Sequence, residues 1–156
     1  TYKVAPLVWL ALPKAKIVAL KRDPRDNLFS MLKNKFISGL HTYTYSQSDL
    51  VEVYQLFTEY LAAWRELAAD RIYEIQYEEL VANPEVEVRK LLEFCELDWE
   101  DACMNFHQNT RKVKTLSIHQ ARQPLYNSSI GRWRRYEEHL GEMLEGLTGM
   151  VGVPED

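Results

Sequence analysis

A strand, a tight turn and a helix are predicted by the stretch Ile17-Val18-Ala19-Leu20-Lys21-Arg22-Asp23-Pro24-Arg25-Asp26-Asn27-Leu28-Phe29-Ser30. Its first four residues are apolar, which is typical of a short buried strand. Asp23 offers an N-cap oxygen, and Pro24 fits the first position of a helix. This order places free backbone N–H groups and a positive helix end at the carboxyl edge of a sheet, where α/β proteins bind anions.

Two side chains of this stretch are suited to a phosphate group. Arg22 stands where the apolar run stops and carries a planar guanidinium that matches phosphate oxygens. Ser30 lies two turns into the predicted helix and could add a hydroxyl. The same residues also fit an ordinary helix start with surface charges, because short motifs match by accident.

Length and composition indicate one ordinary domain with a real core. The chain has 156 residues, of which 46% are hydrophobic, and its formal net charge of −4 argues against a general nucleic-acid binder. No apolar run approaches membrane-spanning length, so no membrane partner is expected. Because the first residue is Thr1 and no signal peptide is visible, we expect residues 1–156 to form a single, N-terminally truncated domain.

The cysteines and histidines favour neither a disulfide framework nor a metal site. Cys95 and Cys103 are not part of a CxxC motif and fall among apolar positions, which predicts reduced and mostly buried thiols. Reduced thiols suit a cytoplasmic location. The four histidines are scattered without the spacing of metal ligands, so no metal is expected.

Two predicted strands, Lys16–Leu20 and Arg71–Tyr77, are separated by helical patterns, which indicates a βαβ arrangement. The first helix is predicted from Pro24 to about Ile37, and an aromatic stripe from Leu50 to Leu67 marks the longest one. The predicted fold class is therefore α/β: a short parallel sheet flanked by helices in a helix-rich chain. Further helices are predicted over Val4–Leu12 and from Pro84, Asp98 and about Ile130. The long helix is expected to have its N-cap at Ser48 or Asp49, and the second strand is expected to end at 77–80. After Tyr136 we expect a frayed tail.

An acid-free segment runs from Asn109 to Tyr136 in this otherwise acidic chain. Pro124 and the weak periodicity predict a long ordered loop followed by a helix. We interpret it as a cleft-lining loop for a polyanion; a solvated basic surface is the alternative. Its basic residues are Arg111, Lys112, Lys114, Arg122, Arg132, Arg134 and Arg135.

Three stretches together resemble the sulfotransferases that use 3′-phosphoadenosine 5′-phosphosulfate (PAPS), and most closely the bacterial and tyrosylprotein-type branch. They are Arg22-Asp23-Pro24-Arg25 with Ser30, then Tyr77-Glu78-Glu79-Leu80-Val81-Ala82-Asn83-Pro84, and finally Thr115-Leu116-Ser117 through Gln123-Pro124-Leu125-Tyr126 to Gly131-Arg132-Trp133. The resemblance covers about residues 16–140. It implies a partial P-loop-type sulfotransferase fold.

The resemblance also implies the cofactor contacts. Arg22 and Ser30 would bind the 3′-phosphate, Tyr77 would lie beside the adenine, and Arg132 would occupy the basic position that ends a loop folded over the nucleotide. Arg25 is expected to point elsewhere. From the loop itself, the expected cofactor contacts are Ser117, Arg122, Gln123 and Tyr126. The co-substrate would be PAPS, the product 3′-phosphoadenosine 5′-phosphate (PAP), and the second partner an unknown sulfate acceptor.

The chain also departs from the family pattern. It lacks the Gly/Ser/Thr-rich loop that holds the 5′-phosphosulfate, and the acceptor-activating base of the family lies upstream of the position of Lys16. At Asn34 the tyrosylprotein branch carries a second arginine, whereas here Lys33 and Lys35 flank an amide. We therefore expect the isolated chain to lack sulfotransferase activity, and we assign no catalytic residue.

Two other functions stay open at this point. One is a non-catalytic module that binds PAP, another nucleotide or a protein partner. The other is a different phosphate-handling α/β protein, although the chain has no GxxxxGK[ST] motif. A homo-oligomer is also possible if a sheet edge is exposed.

Overall fold

A computed structural model describes residues 2–34, 36, 39–105, 129–150 and 152–154. The chain forms a helix-rich α/β fold around one short parallel pair of strands, as predicted. Short 3₁₀ segments join the regular elements. The elements are α1 (Ala5–Ala11), β1 (Ile17–Lys21), α2 (Pro24–Lys33), α3 (Gln47–Ala68), β2 (Ile72–Gln76), α4 (Tyr77–Ala82), α5 (Pro84–Cys95) and α6 (Gly141–Leu147), with 3₁₀ segments at Tyr2–Val4, Gly39–Tyr45, Ala69–Arg71, Asp101–Cys103 and Arg132–His139.

The two strands run parallel, with Ile17 opposite Ile72 and Lys21 opposite Gln76. This confirms the predicted βαβ arrangement, and each strand begins one residue later than expected. The prediction that residues 77–80 end the second strand is wrong, because Tyr77 is the first residue of α4. Glu78 and Glu79 lie in the first turn of α4, where carboxylates interact favourably with the helix dipole.

Helix α2 begins as predicted but ends earlier. The carboxylate of Asp23 accepts a hydrogen bond from the backbone N–H of Arg25 at 2.9 Å, and Pro24 occupies the first helical position. The helix ends at Lys33 rather than near Ile37. The side-chain amide of Asn34 donates to the carbonyl of Ser30 at 2.7 Å, so this side chain satisfies a carbonyl of the last turn.

The long helix α3 is capped two to three residues earlier than predicted. The hydroxyl of Ser46 accepts from the backbone N–H of Asp49 at 3.2 Å, so neither Ser48 nor Asp49 is the N-cap. The aromatic and aliphatic stripe is buried along its first half. At the other end, Leu67 is 70% exposed although the next residue, Ala68, is buried, so Leu67 lies on a face of the helix that does not meet the core.

The main core closes on α6, in the region predicted to fray. Leu140, Met143 and Leu147 are fully buried against α2 and α3. Their three- and four-residue spacing makes an apolar face, which outweighs the helix-breaking tendency of the glycines nearby. Gly146 has a packing role, since a Cβ there would lie only 3.0 Å from a methyl carbon of Val51.

The cysteine prediction is half right. Cys95 and Cys103 form no disulfide, but both are only half-buried rather than mostly buried. The helix predicted from Asp98 is reduced to the single 3₁₀ turn Asp101–Cys103, so this region covers less surface than a full helix would. Among the described residues, no helix is long and apolar enough to cross a membrane.

Candidate functional site

The candidate site lies at the carboxyl end of β1, where the chain turns into α2. The carboxylate of Glu78 fixes this turn from the neighbouring element. It accepts a hydrogen bond from the backbone N–H of Asp23 at 3.0 Å and another from the side-chain amide of Gln76 at 2.7 Å. The carboxyl ends of both strands are therefore tied together at one edge of the sheet.

Arg22, Tyr77 and Ser129 meet at this edge although they are far apart in sequence. The guanidinium carbon of Arg22 lies 5.2 Å from the centroid of the Tyr77 ring, and Nη2 donates to the carbonyl of Ser129 at 2.5 Å. The hydroxyls of Tyr77 and Ser129 are 3.3 Å apart. Within the described parts of the chain, Nε of Arg22 is buried without a hydrogen-bond partner. Arg22 thus retains hydrogen-bonding capacity for a ligand oxygen.

Asp26 is a site residue that the sequence analysis did not identify. Its side chain is 1% exposed, and its carboxylate accepts hydrogen bonds from the backbone N–H groups of Gly131 at 2.6 Å and Trp133 at 3.1 Å. Nη2 of Arg22 lies 3.7 Å from the same carboxylate. The four-residue spacing from Arg22 was the available signal, but the long-range partners are not visible in the sequence. Asp26 therefore anchors the segment that carries Arg132 against α2.

The side chain of Arg25 is held by contacts within the fold. Its guanidinium is buried, forms an ion pair with Asp23 at 2.9 Å, and lies 4.6 Å from the centroid of the Trp133 ring. A buried guanidinium that is paired and stacked contributes to packing as well as to charge balance. Replacing Arg25 would consequently disturb the fold around the site.

Lys33 brings a further positive charge to this face of α2. Burial lowers the pKa of Lys33 below its ordinary value, the guanidinium groups of Arg132 and Arg22 lower it further, and Asp26 acts in the opposite direction. Arg132, an exposed residue at the start of its 3₁₀ segment, and Arg22 both therefore lie within electrostatic range of Lys33. We call these three residues the cation cluster.

The structure describes four of the eight residues expected to contact a cofactor. Arg22 and Tyr77 are in contact, and Arg132 belongs to the same cluster. Ser30 is half-buried on α2, one turn beyond Asp26. Outside the described residues lie the other four, Ser117, Arg122, Gln123 and Tyr126.

A cavity of about 250 Å³ lies between the end of β1, α2 and α3, and Arg22 is part of its lining. Its wall is mainly apolar and aromatic. Arg22 therefore belongs to the cation cluster and also lines this cavity. Among the lining residues are Asn27, Met31, Tyr43, Tyr54 and Phe57.

The arrangement is suited to an anion that carries a flat ring. Fixed guanidinium groups can bind phosphate-type oxygens, and Tyr77 presents an aromatic surface beside them. Over residues 2–34, 36, 39–105, 129–150 and 152–154, no group of three or more His, Cys, Asp or Glu side chains could hold a metal ion. The fold and the site define an α/β protein with cationic and aromatic side chains at the carboxyl edge of its sheet.

The family follows from comparison with known proteins. The sequence model of the sulfotransferase family matches residues 1–101, about two thirds of the chain, so the chain belongs to the sulfotransferase family. The resemblance seen in the motifs is thereby confirmed at the level of the family.

Individual relatives agree with this assignment. An uncharacterized protein of Aquifex aeolicus is 38% identical over 144 residues, which cover 90% of this chain and 19% of that protein. Protein-tyrosine sulfotransferase 1 of Danio rerio is 29% identical over 120 residues, covering 75% of this chain and 33% of the enzyme. The protein-tyrosine sulfotransferase of Drosophila melanogaster is 29% identical over 118 residues, covering 72% and 22%. The chain thus spans between a fifth and a third of the length of these relatives.

Proposed function

We propose that this chain forms the 3′-phosphate and adenine side of a PAPS site. The full reaction would be transfer of the sulfuryl group from PAPS to a hydroxyl or amine of an unidentified acceptor, with PAP as the second product. The observation that carries the proposal is the position of Arg22, stacked on Tyr77 at the carboxyl end of β1. Family membership supports the reaction type.

Each described residue has a role in this proposal. Arg22 donates charged hydrogen bonds to the 3′-phosphate, with Nε and Nη2 directed at two of the phosphate oxygens. Arg132 contributes a second guanidinium, and Ser30 a hydroxyl. Tyr77 holds the guanidinium of Arg22 in place and offers its ring edge to the adenine. Ser117, Arg122, Gln123 and Tyr126 are proposed as contacts from the loop on the strength of the resemblance alone.

Arg22 must give up one contact when the phosphate binds. Its Nη2 donates to the carbonyl of Ser129. A phosphate oxygen is a better acceptor for a guanidinium than a carbonyl is, because the phosphate carries a negative charge and the carbonyl does not. Binding would therefore exchange this weaker contact for a stronger one, while Asp26 continues to hold Gly131 and Trp133 beside the ligand.

Catalysis in this reaction rests on positioning and on stabilising the charge of the transferring group, by analogy with phosphoryl transfer. The residues of this chain would fix the nucleotide, so that the sulfuryl group is held in line with the acceptor. We assign the catalytic base and the 5′-phosphosulfate loop to residues outside this chain and expect the isolated 156 residues to be inactive. A cytoplasmic location is part of the proposal, supported by the free thiols of Cys95 and Cys103.

Titration of the full-length protein with PAP and with adenosine 5′-phosphate tests the 3′-phosphate assignment. PAP should bind more tightly, and Arg22→Ala should weaken PAP binding by about tenfold to a hundredfold, because a charged hydrogen bond contributes roughly 1.5–3 kcal/mol. Arg65→Ala is the control, since Arg65 is exposed on α3 and pairs with Glu74 at 3.1 Å, away from the site.

Equal affinity for the two nucleotides, or an Arg22→Ala variant that binds PAP like the parent, would reject the assignment. PAP binding without turnover of PAPS by the full-length protein would instead favour the alternative, a non-catalytic nucleotide-binding module.

A further inference from the structure

We propose that Lys33 is a third cationic ligand of the bound phosphate monoester, beside Arg22 and Arg132. The inference rests on the proposed function and deepens it. It assigns a binding role to a residue that neither the family motif nor the sequence analysis placed in the site.

Helical spacing puts Lys33 on the same face of α2 as the rest of the site. Residues three and four apart are neighbours on a helix surface, so Asp26, Ser30 and Lys33 form one row. Arg22 joins this row from just before the helix, as its 3.7 Å ion pair with Asp26 shows. A phosphate bound to Arg22 and Ser30 would therefore lie along the row that ends at Lys33.

Aromatic contacts direct the Lys33 side chain toward the segment that carries Arg132. The ammonium nitrogen lies 5.6 Å from the centroid of the Phe29 ring. Phe29 in turn stacks on Tyr136 of the 3₁₀ segment Arg132–His139, with ring centroids 4.8 Å apart. Lys33 is an exposed residue whose ammonium group therefore lies on the side of α2 that faces the segment Arg132–His139.

The charges of this cluster are not balanced among the described residues. Neither Lys33 nor Arg132 forms an ion pair with a carboxylate in the part of the chain that the structure describes. The acid close to them is Asp26, which is buried and whose oxygens already accept from Gly131 and Trp133. Arg22 lies 3.7 Å from this carboxylate, whose single charge cannot balance the three cations, and a phosphate dianion would neutralise the excess.

The charge of Lys33 should make binding depend on pH. The charged and titratable groups around it are Arg22, Arg132, Asp26 and the hydroxyl of Tyr136. Burial and the two arginines lower the pKa of Lys33, so it loses its proton at a lower pH than an ordinary lysine does. Arginines stay charged, and a phosphate monoester is already a dianion above about pH 7. Affinity should therefore fall as the pH rises from about 7 to about 10.

The experiment is a PAP titration of the full-length protein across that pH range, with the parent and with Lys33→Met, Lys33→Arg and Lys14→Met. Lys33→Met should weaken PAP binding roughly tenfold near pH 7 and leave adenosine 5′-phosphate binding unchanged. Lys33→Arg should retain the affinity of the parent near pH 7 and bind equally well at the highest pH. Lys14 is an exposed lysine distant from α2, so Lys14→Met should behave like the parent.

The outcomes separate this inference from the proposed function. If PAP binds and Arg22→Ala weakens it, but Lys33→Met matches the parent, the role of Lys33 is wrong and the 3′-phosphate site stands. If Lys33→Met and Lys33→Arg are equally weak, Lys33 acts through packing rather than charge, which also overturns the inference. If the full-length parent shows no preference for PAP over adenosine 5′-phosphate, both proposals fall.

Discussion

Helices α2 and α5 each carry one arginine and one lysine, and the two lysines have opposite surroundings. On α5, Arg89 pairs with Glu85 at 2.7 Å and Lys90 pairs with Glu87 at 2.6 Å, each within one turn. On α2, Lys33 has no such partner among the described residues, and its neighbours are the guanidinium groups of Arg22 and Arg132. Neutralised cations at helical spacing are typical of a solvated face, whereas an unbalanced cluster around one engaged carboxylate is suited to an anionic ligand.

The pKa values of the two lysines express this difference. Burial and nearby guanidinium groups lower the pKa of Lys33. The hydrogen bond and the charge of Glu87 raise the pKa of Lys90. The same residue type therefore favours its charged form more strongly on the paired face than at the candidate site, and only the latter gains from a bound anion.

The largest effect on stability is expected when the carboxylate of Asp26, beside the cation cluster, is removed. Asp26→Ala leaves two backbone N–H groups without an acceptor, each costing about 1–3 kcal/mol, and should lower the free energy of unfolding by roughly 2–5 kcal/mol. Denaturant unfolding measures this change.

The matched control for that variant is Asp49→Ala. Asp49 occupies the corresponding third position of α3 but is exposed, so its loss should cost only about 0.3–1 kcal/mol through the helix dipole. Equal losses of stability in the two variants would show that the Asp26 hydrogen bonds add nothing beyond a favourable helix start.

A smaller effect is expected on the difference between the pKa values of Lys90 and Lys33. Glu87→Gln removes the charged partner of Lys90, so the pKa of Lys90 should fall while that of Lys33 stays where it is. By linkage, a raised pKa stabilises the fold at low and neutral pH, and this contribution disappears as the pH rises through the folded-state value. NMR titration of the lysine side chains measures both residues in one experiment. A parent in which Lys33 titrates above Lys90 would contradict the assigned environments.

The smallest effect is expected from the paired arginine. Arg89 is half-exposed and its ion pair with Glu85 is a surface pair within one helix, so Arg89→Ala should change the free energy of unfolding by less than about 1 kcal/mol. PAP affinity should not change, because α5 has no part in the proposed site. A clear loss of PAP affinity in this variant would mean that the paired face also contributes to binding.

Several features were predictable because they depend on neighbours in sequence. The apolar run before Arg22, the cap of Asp23 and the proline at position 24 specify a strand, a turn and a helix start through local sterics and hydrogen bonding. The parallel pairing of the strands followed from the helix between them, because a crossover of that length returns the chain in the same direction. The family resemblance also arose from these local motifs.

Other features depended on packing between distant segments. The glycines near the end of the chain suggested fraying, yet Met143 and Leu147 complete the main core because α2 and α3 provide a surface to bury them. Ser46 is the N-cap of α3 rather than Ser48 or Asp49, and the local sequence pattern does not decide among these three residues. For Cys95 and Cys103 the apolar surroundings predicted burial, but both are half-buried.

By itself, the sequence determined the strand–turn–helix with Arg22 in its turn, the parallel βαβ arrangement and the family. Only the tertiary structure decided which charges meet. Asp26 reads as an ordinary acid in a first helical turn until the fold brings the N–H groups of Gly131 and Trp133 to it. In the sequence, Lys33 is an ordinary lysine in the last turn of a helix; in the fold, Arg132 from a distant part of the chain is its electrostatic neighbour. Electrostatic environment depends on distance in space, and contacts across about a hundred residues have no local signature in the sequence.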